Sequence, residues 1–140
     1  MLTKSTVEAE WLKFRPLFTT QVPGRPALYP QLWYKFEVEW HAGPCSKGYY
    51  QASKPIFHFD LGRRTPLDHL RLLMAHEVAH ALCPIRLSPS GRRIIHGTDF
   101  YSTWGRVMDD IYELDVTVAE LKYAVRRINR GGEIRLGSVS

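Results

Sequence analysis

The stretch Thr65-Pro66-Leu67-Asp68-His69-Leu70-Arg71-Leu72-Leu73-Met74-Ala75-His76-Glu77-Val78-Ala79-His80-Ala81-Leu82 decides how the chain is read. Leu67, Leu70, Leu73/Met74 and Leu82 recur at the spacing of a helix with an apolar face. Thr65 is placed to cap that helix, Pro66 suits its first position, and Asp68 follows Thr65 by three residues. Pro84 stops it. Inside the segment, His76-Glu77-Val78-Ala79-His80 sets two imidazoles four residues apart. On a helix such residues share a face, so both rings can be offered to one metal ion. Glu77 lies beside them, within reach of a water on that ion. This is the mechanical content of H-E-x-x-H on a helix, which points to zinc with a glutamate base. His69, two turns earlier, is expected at the solvent-facing rim.

A catalytic zinc takes three protein ligands and keeps a fourth position open. Three kinds of third ligand follow in the sequence. His96 lies sixteen residues after His80, and Gly97 beside it permits a close backbone approach. An acid on the next helix (Asp109, Asp110 or Glu113) is the second option, and Asp99 the third. Imidazole suits zinc, which favours His96. Asp99 or Asp109 is expected to orient the imidazoles. Tyr49, Tyr50 and Tyr101 are the candidates for stabilising an oxyanion, without a sequence reason to choose among them.

Outward from this helix the chain reads as an α+β fold. Ser5 to Phe18 is expected to be an amphipathic helix, capped by Ser5 or Thr6, with Val7, Trp11, Phe14 and Leu17/Phe18 on its apolar side. Pro16 and then Pro23-Gly24-Arg25-Pro26 end it. Leu32 to His41 alternates, with Tyr34, Phe36, Val38 and Trp40 opposite Lys35, Glu37 and Glu39, the pattern of a half-buried strand. Tyr49 to Ala52 and Ile56 to Leu61 are further strands. Their short links predict a three-stranded antiparallel meander. His41 and His58 read as surface or hydrogen-bonded residues. Residues 84 to 95 read as a loop. A helix over Asp99 to Leu114, capped by Thr98 or Asp99, carries Phe100, Trp104, Val107/Met108 and Ile111 inward. A last helix over Val116 to Asn129 opens on Thr117 and Glu120 and ends at Gly131-Gly132. The tail from Glu133 to Ser140 is expected to be loosely ordered.

The chain has 140 residues, 44% apolar and 24% charged, which suits one domain with its own core. Its two cysteines, Cys45 and Cys83, form no C-x-x-C pair, which excludes a cysteine zinc ribbon and a disulfide framework. Both read as reduced, mostly buried thiols. The N-terminus shows no apolar signal region, and no run approaches the roughly 18 apolar residues of a membrane span. A cytoplasmic protein is expected. The net charge of +5 favours an acidic partner.

At His76-Glu77-Val78-Ala79-His80-Ala81 and His96-Gly97-Thr98-Asp99-Phe100 the sequence resembles the SprT-like zinc metallopeptidases, which include the Spartan proteases and share H-E-x-x-H-A…H-G-x-x-F. The resemblance implies a small single zincin-like domain over 1–140: an N-terminal helix, the strands, the H-E-x-x-H helix and two C-terminal helices. It implies His76, His80 and His96 on one Zn²⁺, and Glu77 assisting attack by a zinc-bound water. It also implies a protein substrate associated with or crosslinked to DNA, and hence a nucleoid or nuclear setting. Many members carry a cysteine zinc ribbon or other DNA-binding module after the protease core, and this chain has none. Arg86, Arg92, Arg93, Arg126, Arg127 and Arg130 would then take the phosphate contacts. The rival readings are a zinc peptidase with a specific non-DNA protein partner or a peptidoglycan peptide as substrate, and a non-catalytic nucleic-acid-binding protein with a structural zinc. Glu77 argues against the last, since a closed structural site needs no base.

Overall fold

The computed structural model describes residues 1–19, 36–43, 46–51, 56–83 and 86–129. The expected strand start at 32–35, the turn at 23–26, Cys45, Ala52, Pro84, Arg130, Gly131-Gly132 and the tail 133–140 lie outside them. The fold is mixed α+β. In chain order it comprises α1 (Lys4–Leu12), α2 (Arg15–Thr19), β1 (Phe36–His41), β2 (Lys47–Gln51), β3 (Ile56–Gly62), α3 (Leu67–Leu82), β4 (Arg86–Leu87), β5 (Arg93–Ile94), α4 (Thr98–Tyr112) and α5 (Val118–Asn129). No helix among the described residues is long and apolar enough to cross a membrane.

The sheet differs from the expected meander. Its order is β1-β3-β2, with β1 parallel to β3 and β2 antiparallel to it. Link length misled the expectation. Residues 42–46 reach roughly 16 Å when extended, enough to pass over β3, because two strand spacings span only about 10 Å. Ser46 fixes that crossing. Its hydroxyl accepts from the Gly62 N–H (3.2 Å) and lies 2.7 Å from the Thr65 hydroxyl. Thr65 is thus drawn to the sheet, and α3 opens with Pro66 as N-cap and without a side-chain cap. The crossover makes β3 the central strand, with Phe57, Phe59 and Leu61 buried, and leaves β2 at an edge. Gly48 on β2 is required by close approach. A Cβ there would meet Phe59 Cδ1 at 2.9 Å and the His58 carbonyl oxygen at 3.0 Å.

Helix α3 is buried along most of its length, from His69 through Glu77 apart from a half-buried Arg71. A helix apolar on nearly every side is a core helix, not a surface one. That explains two departures from the sequence reading: His69 is fully buried where a rim position was expected, and Leu67 is exposed. The N-terminal helix is two pieces. Thr3 caps α1, accepting from the Thr6 N–H, and Pro16 sits inside α2 instead of ending a single helix. Trp11 from α1 packs on Phe57 and Phe59 with ring centres 4.9 and 5.7 Å away. The expected 84–95 loop contains the short hairpin β4–β5, whose turn needs Gly91 at φ +83°. Helix α4 starts at Thr98 with Gly97, not Thr98 or Asp99, as its N-cap and no side-chain cap. Helix α5 opens on the expected reciprocal cap, Thr117 and Glu120 each bonding the other's backbone N–H.

One buried ionic group ties these helices together. Glu10 on α1 is 5% exposed and receives Arg71 of α3 through Nε and Nη2, both at 3.2 Å, and Lys13 at 2.9 Å. The Arg71 guanidinium also lies over the Tyr112 ring of α4, 5.0 Å from its centre. Burial raises the Glu10 pKa, but Arg71 and Lys13 outweigh it and hold the carboxyl below its usual range. A depressed carboxyl pKa stabilises the fold above the unfolded value and loses that stabilisation as pH falls through the folded one. Glu10→Ala is therefore expected to destabilise by about 1–3 kcal/mol near neutral pH, since it removes both hydrogen bonds of a half-buried Arg71 and leaves it only the weaker charge of Asp68. In thermal melts from about pH 7 to pH 3, the gap between wild type and Glu10→Gln should close below about pH 4.5. A gap constant across that range would contradict the assignment.

Candidate metal centre

Two elements converge on one point. Helix α3 contributes His76 and His80, and the turn between β5 and α4 contributes His96. Their ligand-capable nitrogens all lie within 4.8 Å of one another, and no other group of three or more such residues occurs among those described. The Nε2 atoms of His76 and His80 are 3.1 Å apart, and those of His80 and His96 are 3.3 Å apart. Two imidazole nitrogens bound tetrahedrally at about 2.0–2.1 Å from zinc lie about 3.3 Å apart, so both spacings fit one ion. Protons fit less well. A ring nitrogen carries at most one hydrogen or one lone pair, so His80 Nε2 cannot make two good hydrogen bonds at once. Three lone pairs around a cation satisfy the whole arrangement.

The wall behind the imidazoles is aromatic. Phe100 of α4 touches all three, with ring centres 5.1 Å from His76, 4.4 Å from His80 and 4.8 Å from His96. Trp104, one turn on, stands edge-on to His76 at 4.5 Å. This wall removes water, and the protonation states follow. Burial, then the neighbouring His80 and His96, hold His76 well below its ordinary pKa. Burial, then His96, push His80 down to about 4, and burial lowers His96. All three are neutral at pH 7, the form that ligates metal.

Glu77 completes the site. It is 3% exposed, and its Oε1 lies 3.8 Å from His76 Nε2. Burial pushes its carboxyl up to about 8, against the backbone N–H of Tyr50, which donates to it and lowers it. Oε2 has no hydrogen-bond partner among the described residues. A buried carboxylate with an open oxygen beside a cluster of donors is the arrangement expected of a proton-transfer group.

The other expected residues distribute unevenly. Tyr50 sits next to Glu77 through its backbone, while its ring packs on Phe57 at 4.8 Å. Tyr49 faces the opposite side of the sheet, stacked on His58 at 4.3 Å. His58 also meets Glu37 at 3.0 Å, and His41 accepts from Gly43, so both are hydrogen-bonded surface residues as expected. Tyr101 is buried with its ring 6.2 Å from His96, which makes it the one candidate phenol beside the cluster. Asp109, Asp110 and Glu113 sit near the far end of α4, about 16–22 Å along its axis from Thr98, so none is the third ligand. Asp99 meets the Cys83 thiol at 3.5 Å, and neither belongs to the ligand group. Asp109 is exposed and orients no imidazole. His76 Nδ1 has no hydrogen-bond partner among the described residues, so ring contacts with Phe100 and Trp104 hold this imidazole. Arg92 and Arg93 are exposed on the β4–β5 hairpin. Arg126 is exposed and Arg127 half-buried in the last turn of α5. The Arg86 side chain and Arg130 lie outside the described residues.

Phe100 was legible as an apolar-stripe residue, but its contact with all three imidazoles was not. The Tyr50 N–H has no sequence signal, because every residue except proline carries one. No protein-family model, curated protein or solved structure matches this chain.

Proposed function

We propose that the chain is a zinc-dependent endopeptidase of the SprT-like type, acting on DNA-associated or DNA-crosslinked proteins. The observation that carries the reading is Glu77, buried and 3.8 Å from the His76 nitrogen, beside three histidines spaced for one ion. A structural zinc site has no use for a buried, partly unpartnered carboxylate at its edge. His76, His80 and His96 would hold the zinc, which would supply a Lewis acid for the scissile carbonyl and acidify water. Glu77 takes the proton of the attacking water and returns it to the leaving nitrogen. Burial favours this role, since it lifts the carboxyl toward the pH at which a base both accepts and releases protons. Tyr101, beside His96, is the phenol assigned to the developing oxyanion. Edge strand β2, whose Tyr50 N–H reaches Glu77, offers an extended polypeptide a place to pair.

The DNA part of the reading rests on the family resemblance, the +5 charge and exposed Arg92 and Arg93. The deciding experiment measures zinc stoichiometry and cleavage of a denatured protein and of a DNA-crosslinked one. Single- and double-stranded DNA are present or absent, at several salt concentrations. One equivalent of zinc and DNA-stimulated cleavage that fades with salt is the expected result. Cleavage indifferent to DNA would leave a peptidase with another partner. Bound zinc without cleavage of any substrate would support the non-catalytic alternative.

A further inference from the structure

Beside the metal centre, α5 carries two cations with no carboxylate partner among the described residues. Lys122 lies with its Nζ 5.7 Å from the centre of the Tyr101 ring. Arg126, four residues on, shares that helix face, and its charge acts on the Tyr101 phenol, which burial raises and Arg126 lowers. Both side chains are exposed. Tyr101 in turn lies against His96, with ring centres 6.2 Å apart. One buried phenol therefore separates a pair of exposed cations from a metal ligand. The last-turn position of Arg126 suits the helix dipole, but the dipole does not explain why Lys122 reaches back over Tyr101.

We propose that Lys122 and Arg126 form a subsite for an acidic side chain of the polypeptide substrate, on the His96 side of the scissile bond. The inference rests on the peptidase reading and deepens it. The two ring distances place the Lys122 ammonium within about 12 Å of His96, which an extended chain covers in three to four residues at roughly 3.3 Å each. An Asp or Glu that close to the cleaved bond meets both cations. Two cations four residues apart on one helix match a single carboxylate, whereas a phosphodiester backbone carries a charge at every step and calls for a longer cationic track. The open solvent around both cations sets the size of the effect. Two exposed pairs together correspond to about a twofold to tenfold preference.

The test uses the full chain loaded with zinc and a complex mixture of peptides of known sequence, with cleaved bonds located by mass spectrometry. Wild type is expected to show Asp and Glu enriched within four residues on one side of the cut. In Lys122→Glu/Arg126→Glu that enrichment should give way to Lys and Arg, and in Lys122→Gln/Arg126→Gln it should vanish. For one peptide cut by wild type and its Glu→Gln counterpart, the difference should appear mainly in KM, by about twofold to tenfold. Cuts without acidic enrichment, or enrichment unchanged in both double variants, overturn the subsite and leave the peptidase standing. Absence of any cut above the Glu77→Gln background overturns the peptidase reading and the subsite with it. A labelled oligonucleotide provides the remaining arm. If the double variants lose oligonucleotide binding while acidic preference persists, the pair contacts phosphate and the proposal fails.

Discussion

Glu77→Gln is expected to abolish peptide hydrolysis while leaving one equivalent of zinc bound. The substitution keeps the shape of the side chain and an oxygen to accept the Tyr50 N–H, but the amide takes no proton. Loss of a positioned acid–base group lowers rate by about 10²–10⁴-fold, and the loss should fall on kcat more than KM, because no ground-state contact to substrate is removed. Zinc should stay, since the ligand set is His76, His80 and His96 and Glu77 Oε1 is already 3.8 Å from His76 Nε2. Stability gives an independent control. Glu77 is 3% exposed and its carboxyl is pushed up to about 8, so the metal-free fold resists its negative charge. A neutral amide of the same shape removes that resistance, and in chelator the variant should melt at or above the wild-type temperature. Cleavage rate, zinc content and thermal melt measured together separate the possibilities. Unchanged cleavage would remove Glu77 from the mechanism. Loss of zinc would make it a ligand, and a lower melting temperature would make it structural.

The parts of this site that the sequence reveals are those fixed by local geometry. The spacing of His76 and His80 is a property of any helix, and the apolar run around them identified that helix from residues alone. His96 was legible because a histidine followed by glycine, after a loop long enough to return, has few other uses beside H-E-x-x-H. What stayed hidden depends on the far side of the core. Helix α3 is apolar almost all round, so periodicity does not say which of its few polar residues is buried, and His69 was assigned to the wrong side. The place of β2 at the sheet edge follows from a crossover over β3 that a five-residue link neither requires nor forbids. The same crossover brings the Tyr50 N–H to Glu77 and turns Tyr49 away. Likewise Glu10 reaches Arg71 across sixty-one positions of sequence, and Lys122 reaches Tyr101 only because α5 folds back on α4. In each case the determining contact is made by packing between elements, which no local pattern encodes.

His96→Ala is expected to lose zinc affinity and, with it, the zinc-dependent part of the stability. His76 and His80 share one helix, whereas His96 comes from the turn before α4, so it alone links the ion to a second element. Removal of an outer-shell partner lowers metal affinity about 10–100-fold, and removal of one of three protein ligands should lower it further. A ligand that binds only the folded state stabilises by about 4.1 kcal/mol when present at 1,000 times its Kd. Wild type should therefore melt well above its chelator-treated form, and His96→Ala should show little of that difference. The comparison in chelator is the decisive one. Without metal, His96 is a partly buried imidazole held below its ordinary pKa and 3.3 Å from another ring nitrogen. Its removal frees His80 from a crowded neighbour and leaves only a surface-facing gap against Phe100. The two proteins should then melt at nearly the same temperature in chelator and diverge as zinc is added. If His96 were held in the fold chiefly by its hydrogen bond to His80, the variant would be weaker by a similar margin with and without zinc. That pattern would reassign the cluster from a metal centre to a structural histidine network.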